Sequence, residues 1–245
     1  MQNAILFAII QAATEFLPVS SSGHLALLGN LLGEPDLFLI TILHISSLLA
    51  VLIFTRRELY DLITFKKHSK KLWIYLIIAT IPAAIFGFTF KSLIESTFNS
   101  YLFIGLAFLF TSVILFLTKF AHKVDNLNYK NALVIGLFQL FALFPGISRS
   151  GMTISAGLFS GIPKEKAVKF SFLLFIPLAI GAGILEIGEA YFSLELTIAF
   201  IICFLLSLIF LNALTYIMKR NKFWLFSIYL LIIGLISLGL YFLGL

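Results

Sequence analysis

The sequence predicts an all-α integral membrane protein: six transmembrane helices plus two re-entrant helix–loop–helix hairpins in an inverted-topology repeat. Three observations predict it. Of the 245 residues, 61% are hydrophobic and 11% charged, whereas a soluble domain carries about 25% charged residues. Six apolar runs are long enough to cross a hydrocarbon core of about 30 Å, which takes about 20 helical residues. Two further apolar stretches are each broken in the middle, and they resemble one another.

The first broken stretch, residues 4–33, is interrupted by Pro18-Val19-Ser20-Ser21-Ser22-Gly23. Each half has room for roughly 10–14 helical residues, about 15–20 Å, which is too short to span. Broken backbone at membrane depth survives only where protein buries it or a polar cavity receives it. Two half-helices meeting at a polar loop are therefore expected. Spans follow at 37–55, 72–90 and 101–118, separated by polar loops from Arg56 to Lys71 and from Lys91 to Ser100. After a loop from Lys119 to Lys130, residues 132–161 repeat the broken pattern around Pro145-Gly146-Ile147-Ser148-Arg149-Ser150-Gly151. Lys164 to Lys169 then reads as a basic loop before spans at 170–189, 196–218 and 223–244. Trp73 and Trp224 stand at the start of spans, as interfacial anchors do. Glu186 and Glu189 fall at the end of a span, and His68 and His122 lie in basic loops, where solvent satisfies them.

Shifting the first broken stretch by 128 residues aligns Gln11 with Gln139, Phe16 with Phe144, Ser20 with Ser148 and Ser22 with Ser150. It also aligns Gly23, Gly29, Gly33 and Pro35 with Gly151, Gly157, Gly161 and Pro163. Identities that are mostly polar or Gly, in so apolar a chain, indicate an internal duplication. The expected organisation is one membrane domain over 1–245, with repeat units 1–118 and 132–245. If each broken stretch returns to its own side, 15 of the 17 cations share one face, and only Lys91 and Arg149 are left over. The positive-inside rule then puts that face in the cytoplasm and both termini outside it. The net charge of +6 lies in those short loops, which suits topology and anionic lipid headgroups rather than nucleic acid. Cys203 stands alone, so no disulfide framework is expected. No basic segment or small-residue cleavage site marks a signal peptide.

Glu15 and Arg149 are expected within the membrane, where a charge costs several kcal/mol and marks function. The bland alternative is a buried ion pair locking the two repeats together. Ser20, Ser21, Ser22, Ser148, Ser150 and Thr153 add hydroxyls around that arginine. Each loop also leads into a half-helix whose free N–H groups favour an anion. A guanidinium, hydroxyls and helix N-termini together describe a phosphate site. Under the 128-residue shift Ser21 faces Arg149, His24 faces Met152 and Glu15 faces Leu143. Matched positions read as shared scaffold and mismatched ones as specialisation, with His24 a candidate acid or base. His44 is a candidate supporting group, and Gln139 is expected to close backbone hydrogen bonds near the second break.

Gln11 to His24 resembles the (E/Q)-x-x-x-E and P-V-S-S-[ST]-G-H signatures of the bacitracin-resistance type undecaprenyl-diphosphate phosphatases. Pro145 to Thr153 resembles that family's P-G-x-S-R-S-x-x-T signature, and the likeness covers almost the whole chain. The resemblance implies a multi-pass hydrolase of the bacterial inner membrane. It would convert the C55 isoprenoid diphosphate to its monophosphate and so recycle the carrier lipid for peptidoglycan. It further implies a divalent cation, most simply magnesium, and bacitracin resistance through competition for the same diphosphate rather than through binding of the drug. By position it makes Glu15, Ser21, His24 and Arg149 the essential residues. Gln11 stands where many members have Glu, so Glu15, substrate oxygens and the Gln11 amide would have to hold the metal. Ser21, His24 and water all remain candidate nucleophiles, with Glu15 holding metal or positioning His24. A flippase for the same lipid phosphate is the alternative that broken helices also suit. Transport would need Arg149 and the hydroxyls, but not His24 with Glu15.

Overall fold

The computed structural model describes residues 3–33, 37–66, 69–122, 126–186 and 193–244. Pro35, His68 and Glu189, which figure in the expectations above, lie outside the described residues. Among those described, the regular structure is helical throughout. In order, the helices are α1 (Ala4–Phe16), α2 (Ser21–Leu32), α3 (Leu37–Phe54), α4 (Arg56–Ile63), α5 (Lys70–Thr89) and α6 (Lys91–Glu95). There follow α7 (Tyr101–Leu117), α8 (Tyr129–Phe141), α9 (Arg149–Phe159), α10 (Lys164–Glu186), α11 (Leu194–Lys219) and α12 (Phe226–Phe242). Among the described residues, six segments are long and apolar enough to cross a membrane: Leu37–Phe54, Lys70–Thr89, Tyr101–Phe120, Lys164–Ile184, Leu194–Lys219 and Phe223–Phe242. Large apolar side chains cover their outer faces, Ile85 and Phe88 on α5 among them, as lipid contact requires.

The differences from expectation lie where charge was read as loop. Lys164 to Lys169 forms the first turns of α10, because Lys and Glu are strong helix formers and the Ala167 amide bonds the Pro163 carbonyl at 2.9 Å. Arg56 to Ile63 and Lys91 to Glu95 are short helices for the same compositional reason. The two breaks fall as expected. α1 stops at Leu17, which is extended (φ −64°, ψ 146°) because Pro18 disfavours a helical predecessor. α8 ends at Phe141, four residues short of Pro145-Gly146.

Small residues and hydroxyls set the packing, as they do where no hydrophobic force acts between helices in lipid. α7 lies against α12 so closely that a Cβ on Gly105 would stand 3.1 Å from the Gly234 carbonyl oxygen, and one on Gly234 3.1 Å from that of Gly105. Ser112 Oγ donates to the Ser227 carbonyl at 2.7 Å, and Ser237 Oγ to the Tyr101 carbonyl at 2.8 Å. α1 packs on α11 and α8 on α5. In the second pair a Cβ on Gly136 would sit 2.7 Å from the Ala79 carbonyl oxygen. α3 and α11 meet through Ser46 Oγ and the Phe200 carbonyl at 2.7 Å, and through Ser47 and Ser207 at 3.4 Å. Inside this frame both breaks are buried: Val19, Ser20, Ile147 and Ser148 are all nearly inaccessible. Their loose backbone groups are therefore enclosed by protein rather than exposed to hydrocarbon.

Candidate active site

The two breaks are built alike. Ser20 caps α2 by accepting from the Gly23 amide at 3.3 Å, and Ser148 caps α9 by accepting from the Gly151 amide at 3.1 Å. Each cap hydroxyl also lies 3.3 Å from the serine two residues on, Ser22 and Ser150 respectively. Ser20 adopts φ +69°, an uncommon conformation for a residue with a Cβ. The loops touch. A Cβ on Gly23 would lie 2.7 Å from Gly146 Cα, and one on Gly151 would lie 3.4 Å from Pro18 Cβ. Ser150 Oγ donates to the Leu17 carbonyl at 3.3 Å. The starts of α2 and α9 thus converge on one place, with the amide-rich ends of both helices.

Glu15 is the hub. Its Oε1 accepts from Arg149 Nη2 at 2.8 Å, and its Oε2 accepts from Ser21 Oγ at 2.6 Å and from Gln11 Nε2 at 3.2 Å. His44 Nε2 stands 3.9 Å from the same Oε2 and is fixed through Nδ1 by the Ile40 carbonyl at 2.9 Å. Arg149 also donates to the Ser171 carbonyl at 3.3 Å, and its guanidinium lies 4.3 Å from the Phe175 ring centre. The ion pair joins the two broken stretches, and its carboxylate and guanidinium satisfy each other's buried charge. Ser21, Ser22 and Arg149 keep partial exposure, so a ligand's oxygens can reach them.

His24 is placed differently from the expectation in which Glu15 positions it. Its Nδ1 is 2.7 Å from the Ser20 carbonyl oxygen, and its Nε2 is 2.6 Å from Tyr229 Oη on α12. Neither bond involves Glu15. Of the other expected residues, Gln139 stands apart: its Nε2 donates to the Ala79 carbonyl on α5 at 3.1 Å. Thr153 is near Arg149, but its hydroxyl is bonded to the Arg149 carbonyl at 2.9 Å and to Ser171 at 2.6 Å. Sequence reasoning missed Tyr229, Ser171 and Phe175. All three sit within apolar spans, where a Tyr, Ser or Phe is ordinary, and no local signal sets them apart. A separate cavity of about 1010 Å³ opens among Lys119, Lys164, Lys219 and Trp224, and takes in no residue of either loop.

The described residues hold no group of three or more His, Cys, Asp and Glu able to chelate a metal. The donor set around Glu15 is nevertheless compatible with magnesium. Gln11 Oε1 is buried without a partner beside the carboxylate, and magnesium takes one or two protein oxygens and completes its shell with water and phosphate.

Residues 4–236 match the sequence family described as "Bacitracin resistance protein BacA". The chain belongs to that family. Within the BacA family it is 44% identical to a protein of Thermosipho africanus named undecaprenyl-diphosphatase, over 96% of this chain and 98% of that one. Similarly named proteins of Methanococcus vannielii and Thermotoga maritima are each 40% identical, covering 94% and 95% of this chain and 95% and 98% of their own lengths. This BacA-family chain is thus a multi-pass membrane protein that matches its relatives over nearly their full length.

Proposed function

We propose that the protein is an undecaprenyl-diphosphate phosphatase, releasing inorganic phosphate and the carrier-lipid monophosphate. The observation that carries this is the Ser21–Glu15–Arg149 constellation: a hydroxyl donating at 2.6 Å to a carboxylate that a guanidinium also holds. A lipid transporter needs the guanidinium and the hydroxyls, but has no use for a buried carboxylate placed to take the proton of one of them. Ser21 is the nucleophile in this scheme, because both nitrogens of His24 are already engaged. The substrate's terminal phosphate draws Arg149 from Glu15, which frees Oε1 and raises the basicity of the carboxylate. Ser21 Oγ then bonds to the terminal phosphorus as its proton passes to Glu15, and the bond to the lipid monophosphate breaks. Arg149, Ser22 and the first amides of α2 and α9 stabilise the charge on the transferring group. Water next displaces Ser21 from phosphorus, and Glu15 returns the proton to the serine. Magnesium would be held by Glu15, Gln11 and phosphate oxygens, and would supply neutralisation of the diphosphate charge.

Bacitracin resistance follows in this scheme from turnover of the diphosphate that the drug would otherwise sequester. The site would lie near the midplane of the cell membrane, reached by two re-entrant hairpins of opposite orientation. Reciprocal contacts support such an inverted repeat. A shift of 128 residues takes Gly23 to Gly151 and Pro18 to Gly146, so the Gly23–Gly146 and Gly151–Pro18 contacts are images of each other. With an offset of 129, Gly105 against Leu238 becomes Gly234 against Leu109. Pairing of this kind is what a two-fold relation produces. The deciding experiment is phosphate release from undecaprenyl diphosphate by purified protein, with Ser21→Ala as control. Release that is magnesium-dependent and lost in Ser21→Ala is expected. Lipid movement across vesicles without phosphate release would instead establish a transporter.

A further inference from the structure

His24 is gripped from two sides. A carbonyl oxygen can only accept, so the 2.7 Å contact with the Ser20 carbonyl places the hydrogen on Nδ1. The neutral ring then has its lone pair on Nε2, and the Tyr229 hydroxyl, 2.6 Å away, donates to it. The remaining faces are closed. Phe108 packs edge-on with its ring centre 5.2 Å away, and the Tyr229 ring lies nearly parallel at 5.7 Å. His24 itself is 9% exposed, whereas Tyr229 is 43% exposed. The imidazole is therefore enclosed, and the phenol stands between its basic nitrogen and the outside.

We propose that Tyr229 is the proton relay of the second half-reaction: its hydroxyl fixes the ring plane and tautomer of His24, and is the group through which His24 exchanges a proton. The inference rests on the hydrolase function above. A tyrosine hydroxyl suits the task because it can reverse. It donates to a neutral imidazole, and after the ring gains a proton the same oxygen accepts from Nε2–H. In the second half-reaction, a water on the exposed side of Tyr229 bonds through its oxygen to the phosphorus of phosphorylated Ser21. Its proton goes to Tyr229 Oη as the original hydroxyl proton moves to His24 Nε2. Tyrosine ends neutral, the ring ends as imidazolium, and the extra proton returns by the same route to the departing phosphate. This also gives the histidine a task separate from that of Glu15, which serves Ser21.

Tyr229→Phe removes one oxygen and keeps the stacked ring, so it tests the hydroxyl apart from the packing. Phosphate release from undecaprenyl diphosphate should fall at least about 100-fold in kcat, the lower end of what proton-transfer assistance contributes, with KM within about twofold. Nitrogen-15 spectra of ring-labelled wild-type protein should show the Nδ1–H tautomer. In Tyr229→Phe the Nε2 resonance should move toward that of an unbonded lone pair. An Nε2–H tautomer in the wild type would overturn the proposal, as would an unshifted Nε2 resonance or a kcat within twofold of wild type. A change confined to KM would also overturn it, making Tyr229 a wall of the substrate site. The spectra need no turnover, so absence of phosphate release by the wild type would sink the hydrolase function while the Tyr229–His24 bond is still judged on its own.

Discussion

At Arg149, charge and geometry can be separated by one substitution. Its guanidinium bridges Glu15 Oε1 and the Ser171 carbonyl while stacking on Phe175, and a lysine keeps the charge but loses the fork and the planar stack. Arg149→Lys should therefore fold and lose at least about 100-fold in kcat, the scale of one transition-state donor at about 3 kcal/mol. Steady-state kinetics check it: a loss confined to KM would reduce Arg149 to docking. Glu15 and Gln11 make a paired test of the carboxylate. Glu15→Gln removes the group to which Ser21 donates, and should lower kcat by about 100-fold or more. Gln11→Glu adds a second carboxylate beside the first, tolerable where a divalent cation neutralises both. Its turnover should stay substantial and its magnesium requirement should saturate at lower concentration. Near-normal turnover of Glu15→Gln across a magnesium titration would make Glu15 structural.

Among the elements, the breaks depend on glycines that let two backbones meet. Gly23 faces Gly146 Cα and the Phe108 ring, both 2.7 Å from where a Cβ would stand. Gly146 itself has φ +90°, so neither partner can yield cheaply. Gly23→Ala should part the starts of α2 and α9, lower stability by about 1–3 kcal/mol as overpacking does, and abolish most turnover. Gly181 on α10 has nothing within 4 Å of its Cβ position. Gly181→Ala should leave stability unchanged or raise it by about 0.5–1 kcal/mol through helix propensity. Reversible unfolding in mixed detergent reads both. Equal midpoints for the two variants would mean that the loops are not closely joined.

For the molecule as a whole, charge sets orientation. The basic loops share one face only if both broken stretches return to their own side. A cysteine at exposed Asn99 should react with an impermeant thiol reagent in intact cells, whereas one at exposed Arg57 should not. Cys203 is buried and free, which keeps the background low. Labelling at Arg57 with protection at Asn99 would remove the inverted arrangement.

Much of the fold was legible because lipid imposes simple rules on a chain. Length and apolarity alone predict the six spans, and Pro18 and Pro145-Gly146 announce the breaks because proline and glycine act locally. Glu15, Ser21 and Arg149 stood out because charge and hydroxyl clusters are rare in such surroundings. The charged segments that form α4, α6 and the first turns of α10 read as loops in the sequence, since helix propensity and membrane burial are separate properties. What surrounds the site was not legible. His24 meets a tyrosine 205 residues away, Gln139 serves α5 rather than the second loop, and Ser171 and Phe175 flank the arginine. The sequence by itself determined which groups are too costly to bury alone and where the backbone must break. Only the tertiary structure decided which partner satisfies each group, because helices in lipid meet through backbone proximity and single hydrogen bonds, and these leave no periodic trace in the chain.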